Sequence, residues 1–324
     1  MPRISCIVPV LDRVQAMEPT LVSLLENRPR NAEILLVFTG PYDDPYQLKD
    51  EVRFLRAPAE SDLLAAINTG IVEAQSPVVH VLDVGATAVP GWADAALECF
   101  RDSRVAAVAP ALCEPTVHGA VHTLGWSYTP QSGPQRMSAE LRETLSFAGE
   151  PKVVAPTIRA GFYRTMALEL LGGKFPTVCG DEWSTVDLCL MLDAVGYTTA
   201  TCRESLVAIP SEQVPLATTS TYRTGACLER LYARNLDRVG AFERYMGHAV
   251  GMLGELASGV VKPATLLRAC GRLSAWTRGG EWKNHRIAMT ETRAVCDSMF
   301  AQIRETQAKV EKSRSALRGI EGMG

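Results

Sequence analysis

Short apolar runs of strand length punctuate the first two hundred residues, and stretches with helical spacing lie between them. ISCIVPVL (4–11), AEILLVF (32–38), VVHVLDV (78–84) and VAAVAPAL (105–112) are continuous runs rich in β-branched residues. Runs of this kind belong to strands buried on both faces. VRFLRA (52–57) and YTTATC (197–202) read as further strands. Helical spacing connects Leu21, Leu24 and Leu25, then Leu63, Leu64, Ile67, Ile71 and Val72. It recurs over 92–101 and over 183–194, which Gly196 ends. Strands alternating with helices predict an α/β fold with a mainly parallel sheet and helices on both faces. The strands at 4–10, 33–38, 78–83 and 105–109 are expected side by side.

The pattern then changes twice. Residues 113–155 are rich in Thr, Ser, Gly and Pro, and suit an irregular strand near 123–128 and a loop. Beyond Pro215 the chain reads as helix over 223–256 and 263–320, which sets a boundary near residue 220. Residues 1–220 are then one domain and 221–324 a helical C-terminal extension. In the last helix Cys296, Met299, Ile303, Thr306, Val310, Ser313 and Leu317 recur at alternating three- and four-residue spacing. Such a seam packs on the body or on a second copy. Arg and Lys at 304, 309, 312, 314 and 318 leave peripheral membrane contact as the alternative.

Composition narrows the class. With 47% apolar and 21% charged residues, the 324-residue chain is globular rather than disordered. No apolar run approaches the roughly 18 residues of a membrane span. MPRISCIVPVLDR lacks a basic segment followed by an apolar core, so the chain is expected unsecreted. Nine cysteines, an odd number with no CxxC pair, fit buried thiols in a reducing cytoplasm. The net charge of −3 hides an asymmetry. Residues 1–222 carry 16 Lys and Arg against 26 Asp and Glu, and residues 223–324 carry 17 against 10. The basic tail is a solvated face, or one that meets the acidic body or the inner face of a membrane. Nucleic acid is not expected as a partner.

Parallel sheets bind ligands beyond the carboxyl ends of their strands. Asp12-Arg13, Thr39 and Asp83 stand at such ends. A carboxylate closing an apolar strand needs solvent, a metal or a partner, or else serves as a turn or helix cap. His80 is either a core residue or a ligand, and His118 and His122 lie in the irregular segment. There is no GxGxxG, Walker A, HExxH or GxSxG sequence.

Several of these pieces together resemble family 2 glycosyltransferases of the GT-A fold. ISCIVPVLDR is similar to the family's first strand, which ends in Pro-x-x-Asn-Arg. DLLAAINTGIVEAQSPVVHVLDVGATAVPGW resembles its Ala-x-Asn-x-Gly helix, the strand ending in Asp-x-Asp and a Pro-Gly-Trp turn. RAGFYRTMALELLGGKF resembles a strand leading to a helix and Gly-Gly-Phe, and WSTVDLCLMLDAVGY the acceptor-side helix. LERLYARN (228–235) is similar to an element often found after the catalytic domain.

The resemblance implies transfer of a sugar, with inversion, from a nucleotide-sugar donor to a glycan or lipid-linked acceptor. Pro9, Asp12, Arg13, Thr39, Asn68 and Asp83 would hold the donor, and Asp83 a Mg²⁺ or Mn²⁺ ion. The family's acidic positions are altered here: Phe38-Thr39 after the second strand, Gly85 for the second Asp of Asp-x-Asp, and Ser184-Thr185 for Glu-Asp. The Arg often found later on that helix is Met191. Catalysis would fall to Asp181, Glu182 or Asp187. Asp181 and Glu182 lie one turn upstream of Thr185, where either could act as base or simply cap the helix. The altered motifs leave two readings, an atypical transferase and a degenerate one that acts as a binding or scaffolding protein. Asp181 or Glu182 pointing into the cleft near Asp83 favours the first, and a cleft filled by Phe38 the second.

Overall fold

The computed structural model describes residues 3–115, 120–129, 133–138, 154–210, 221–235, 246, 248–259, 263–275 and 279–321. The first apolar runs are strands as expected: β1 (Ile4–Leu11), β2 (Ala32–Phe38), β3 (Arg53–Arg56), β4 (Val78–Leu82) and β6 (Val105–Cys113). A two-residue strand β5 (Thr87–Ala88) precedes β6. After it come β7 (Val121–Thr123), β8 (Trp126–Thr129), β9 (Gly133–Arg136), β10 (Ala160–Arg164) and β11 (Thr198–Ala208). The helices of this region are α1 (Val14–Glu26), α2 (Leu63–Glu73), α3 (Trp92–Cys99), α4 (Thr165–Leu170) and α5 (Gly180–Ala194).

The main sheet runs β3-β2-β1-β4-β10-β6-β11-β5, with β7 also on β6. β3, β2, β1 and β4 are mutually parallel, and so are β6 and β11. One feature differs from the expected order: β10 enters antiparallel between β4 and β6. Its residues Ala160–Tyr163 are buried, as a strand with neighbours on both edges and helices on both faces must be.

Alternation along β1 divides the interior. Ile7 faces a core shared with Leu64, Ile67 and Ile71 of α2 and Trp183, Val186 and Leu190 of α5. Cys6 and Val8 face the opposite core, with Met17, Leu21 and Leu24 of α1 and Trp92 and Ala96 of α3. His80 belongs to this second core as a histidine wedged between Trp92 (4.6 Å) and Phe162 (4.1 Å). Burial pushes its pKa down to about 3, so it is neutral.

Beyond the sheet the described chain is helical: α6 (Tyr222–Arg234), α7 (His248–Gly259), α8 (Pro263–Ala275) and α9 (Gly279–Glu321). α6 and α8 cross so closely that only glycine fits. A Cβ on Gly225 would lie 1.9 Å from the Arg268 carbonyl oxygen, and one on Gly271 would lie 1.9 Å from that of Tyr222. α9 docks through Cys296 and Phe300, both buried, with the Phe300 ring edge-on to Tyr197 at 5.0 Å. Met299 and Ile303 of the expected seam pack beside them, whereas Val310 is exposed. The side chains of Ser313 and Leu317 lie outside the described residues, as does His118. No helix among the described residues is long and apolar enough to cross a membrane.

Candidate active site

The carboxyl ends of β1 and β4 meet the segment entering β10. β1 closes in an irregular turn: its register shifts after Pro9, Leu11 has φ 54°, and the Arg13 N–H donates to the Val10 carbonyl (2.9 Å). That turn sets Arg13 at the start of α1 and turns its guanidinium toward the end of β4. Asp83 follows β4 and is wholly buried, and its N–H donates to the Arg159 carbonyl (2.9 Å). This backbone bond brings Arg159, the residue before β10, alongside.

The side chains complete the cluster. Arg13 donates to one carboxylate oxygen of Asp83 and Arg159 to the other. The Val84 N–H shares the first oxygen at 3.0 Å. Asp83 is 0% exposed, whereas the arginine side chains are 35% and 29% exposed, so the arginines cover a concealed carboxylate. Gly85, at φ +90°, occupies the second acidic position of Asp-x-Asp and donates its N–H to Thr20 of α1 (2.8 Å).

Asp181 lies in the first turn of α5. Its carboxyl pKa is raised, first by burial and then by Asp62, while Arg223 and Arg159 pull it back. The arginine that grips Asp83 therefore also acts on Asp181. The Oδ1 atom of Asp181 is buried without a hydrogen-bond partner. Beside it opens a cavity of about 270 Å³, lined also by Trp183, Thr221, Arg223 and Thr224. A half-buried carboxyl with a raised pKa and an unused, buried acceptor atom is suited to taking a proton.

The other expected site residues have different surroundings. Asp187 is wholly buried and accepts from Arg234 of α6 (3.0 Å), which also reaches the Met191 sulfur (3.2 Å). It fastens α6 to α5, and burial raises its carboxyl pKa while its Oδ2 is buried without a hydrogen-bond partner. Asn68 pairs its amide with the backbone of Phe175, donating to the carbonyl at 3.1 Å and accepting from the N–H at 2.7 Å. It anchors the chain after α4. Pro9 is buried in β1 opposite Val37. Asp12 is exposed and Thr39 half-buried at their strand ends. The side chain of Glu182 lies outside the described residues. Phe38 is buried, but in the second core, stacked on Tyr42 with ring centroids 4.5 Å apart. His122 pairs with Glu114 (2.8 Å).

Arg159, Arg223 and Asp62 were not anticipated as site residues. Arg159 opens the stretch RAGFYR, and its place before a strand was the one signal that could have found it.

The fold is of the GT-A type. Residues 5–149 match the family model for glycosyl transferase family 2. Among solved structures, the mannosyltransferase PcManGT from Pyrobaculum calidifontis, in complex with GDP-Man and Mn²⁺, is similar at 18% identity and a TM-score of 0.52. The match covers 91% of this chain and 86% of that one. GalNAc-T7 with UDP, GalNAc and Mn²⁺ is similar at 12% identity and a TM-score of 0.56, and TarS from S. aureus at 12% and 0.50. The matches cover 83% and 80% of this chain but only 55% and 43% of those longer proteins. At such identities the likeness is one of fold. No curated protein matches the sequence.

Two of these relatives hold Mn²⁺. The residues present here do not fit such an ion. Both oxygens of Asp83 are engaged by guanidiniums, and Gly85 brings no ligand. No group of three or more His, Cys, Asp and Glu suited to a metal occurs among the described residues.

Proposed function

We propose that the protein is an inverting glycosyltransferase, which moves a sugar from a nucleotide-sugar donor to a glycan or lipid-linked acceptor. Asp181 is its general base. The observation that carries this reading is the placement of Asp181: partly buried, with an unpartnered Oδ1 at a cavity, and within reach of the charge of the arginine that holds Asp83. A scaffold gains nothing from a carboxyl held in this state. The donor lies across the ends of β1, β2 and β4, beside Asp12, Arg13 and Thr39, and the acceptor enters by the Asp181 cavity. Asp181 takes the proton of the acceptor hydroxyl as its oxygen attacks the anomeric carbon.

Residues 1–220 form the transferase unit, and 221–324 the extension that closes the acceptor side through Arg223 and Thr224. Nine free cysteines suit a reducing compartment, the cytoplasm. A lipid-linked acceptor would bring the basic tail to the inner face of the membrane. The test is release of nucleoside diphosphate from UDP-, GDP-, CDP-, ADP- and dTDP-sugars, with thermal shift against the five diphosphates. Turnover or protection by one base series is expected. No shift with any of them at millimolar concentration refutes the transferase and leaves the scaffold.

A further inference from the structure

We propose that the Arg13–Asp83–Arg159 cluster binds the donor diphosphate without a metal ion, the two guanidiniums doing the work of a divalent cation. The inference rests on the glycosyltransferase reading and goes on to say how the leaving group is held. The cluster stands at the carboxyl ends of β1 and β4, where a sheet of this kind presents its ligand. Two cations around one carboxylate leave the cluster itself with a net positive charge. Each guanidinium has five N–H donors in a planar fork that matches phosphate oxygens. Arg13 and Arg159 each give one N–H to Asp83, and neither side chain makes another hydrogen bond among the described residues. About a third of each side chain remains exposed.

Asp83 then has a different task from a metal ligand. It is a positioning residue, which holds two like charges close together and aims their outer N–H groups at a shared anion. The bonding changes balance without an ion. The acceptor O–H proton passes to Asp181, and the acceptor oxygen forms a bond to the anomeric carbon. The bond from that carbon to the β-phosphate oxygen breaks with its electron pair remaining on the phosphate. Arg13 and Arg159 stabilise the charge that develops there.

Calorimetric titration of the full chain with UDP, GDP, CDP, ADP and dTDP, each in Mn²⁺ and again in EDTA, tests the proposal. The nucleotide that binds should do so with affinities within about threefold in the two media. Arg159→Gln and Arg13→Gln should each weaken it at least about tenfold, in EDTA as in Mn²⁺. Affinity for the matching nucleoside should not change. If a variant does not fold, the comparison of media on the natural chain still decides. Binding that needs Mn²⁺ and is lost in EDTA overturns the arginine site while leaving the transferase reading in place. No binding in either medium overturns both.

Discussion

Replacing Asp181 with Asn should cost the protein its turnover and none of its stability. Burial, and then Asp62, raise the carboxyl pKa above its ordinary value. The folded state thus holds the proton more tightly than the unfolded chain does. Ionising the group opposes folding at any pH above the folded pKa, and that opposition fades as pH falls through the folded value toward the unfolded one. The amide that replaces the carboxylate has no charge to desolvate, and the unpartnered Oδ1 means that no hydrogen bond at that atom is broken. The stability change should stay within about 0.5 kcal/mol at neutral pH. For a chain of this size that is about 1–2 °C in Tm, zero or upward in sign. The difference between variant and natural protein should close as pH falls toward about 4. Sugar transfer, by contrast, should drop by about 10²–10⁴ with loss of the base, while nucleoside diphosphate affinity holds. In the natural protein the rate should rise with pH through the raised pKa, since the base must be ionised. Melts across the acid-to-neutral range and a nucleotide-release assay read both effects. A fall in Tm of more than about 5 °C would mean that the carboxylate is a helix cap, and unchanged turnover would remove it from the chemistry.

Two further outcomes follow from the packing. His80 is neutral in the fold, with its pKa down to about 3 from 6.5, so stability falls as pH drops through that window. The loss should be about 2 kcal/mol at about pH 5. His80→Phe keeps a ring between Trp92 and Phe162 and should flatten the slope, so equal pH slopes in urea titrations would contradict the burial argument. Phe300→Ala removes a ring packed on Tyr197 and capped by Arg104 at 5.7 Å. It should lower stability by about 3–4 kcal/mol, and an unchanged melting midpoint would mean that α9 is an independent appendage.

Much of the fold is written in the hydrophobic pattern because burial on both faces leaves a continuous apolar run. β1, β2, β4 and β6 are such runs, and each appears close to its expected limits. β10 shows where periodicity stops being informative. Ala160-Gly161-Phe162-Tyr163 is too short and too mixed to declare itself a strand, and its place is set by partners some 80 and 55 positions earlier. The last helix follows the same logic. Its seam marks a docking face, but Phe300, lying off that seam, becomes an anchor because Tyr197 and Arg104 meet it there.

The site was legible in position and not in chemistry. A motif gives the place of Asp83 at a strand end, yet what a carboxylate does depends on which groups reach it. Arg13 was visible as a donor-side residue, and its pairing with Asp83 spans 70 positions that no local pattern records. Nothing local marks Arg159, which the Asp83 N–H holds by its carbonyl so that the two side chains meet. Asn68 shows the converse, since a residue at a family-like position is occupied by the backbone of Phe175. The altered motifs therefore do not reduce to losses. Gly85 brings no carboxylate to the second acidic position, and Arg159 lies beside the carboxylate that remains. Both features leave the cluster with more cationic than anionic groups, as the proposed diphosphate site requires. A scaffold released from catalysis would have no reason to keep that charge exposed at the strand ends beside a carboxyl with a raised pKa.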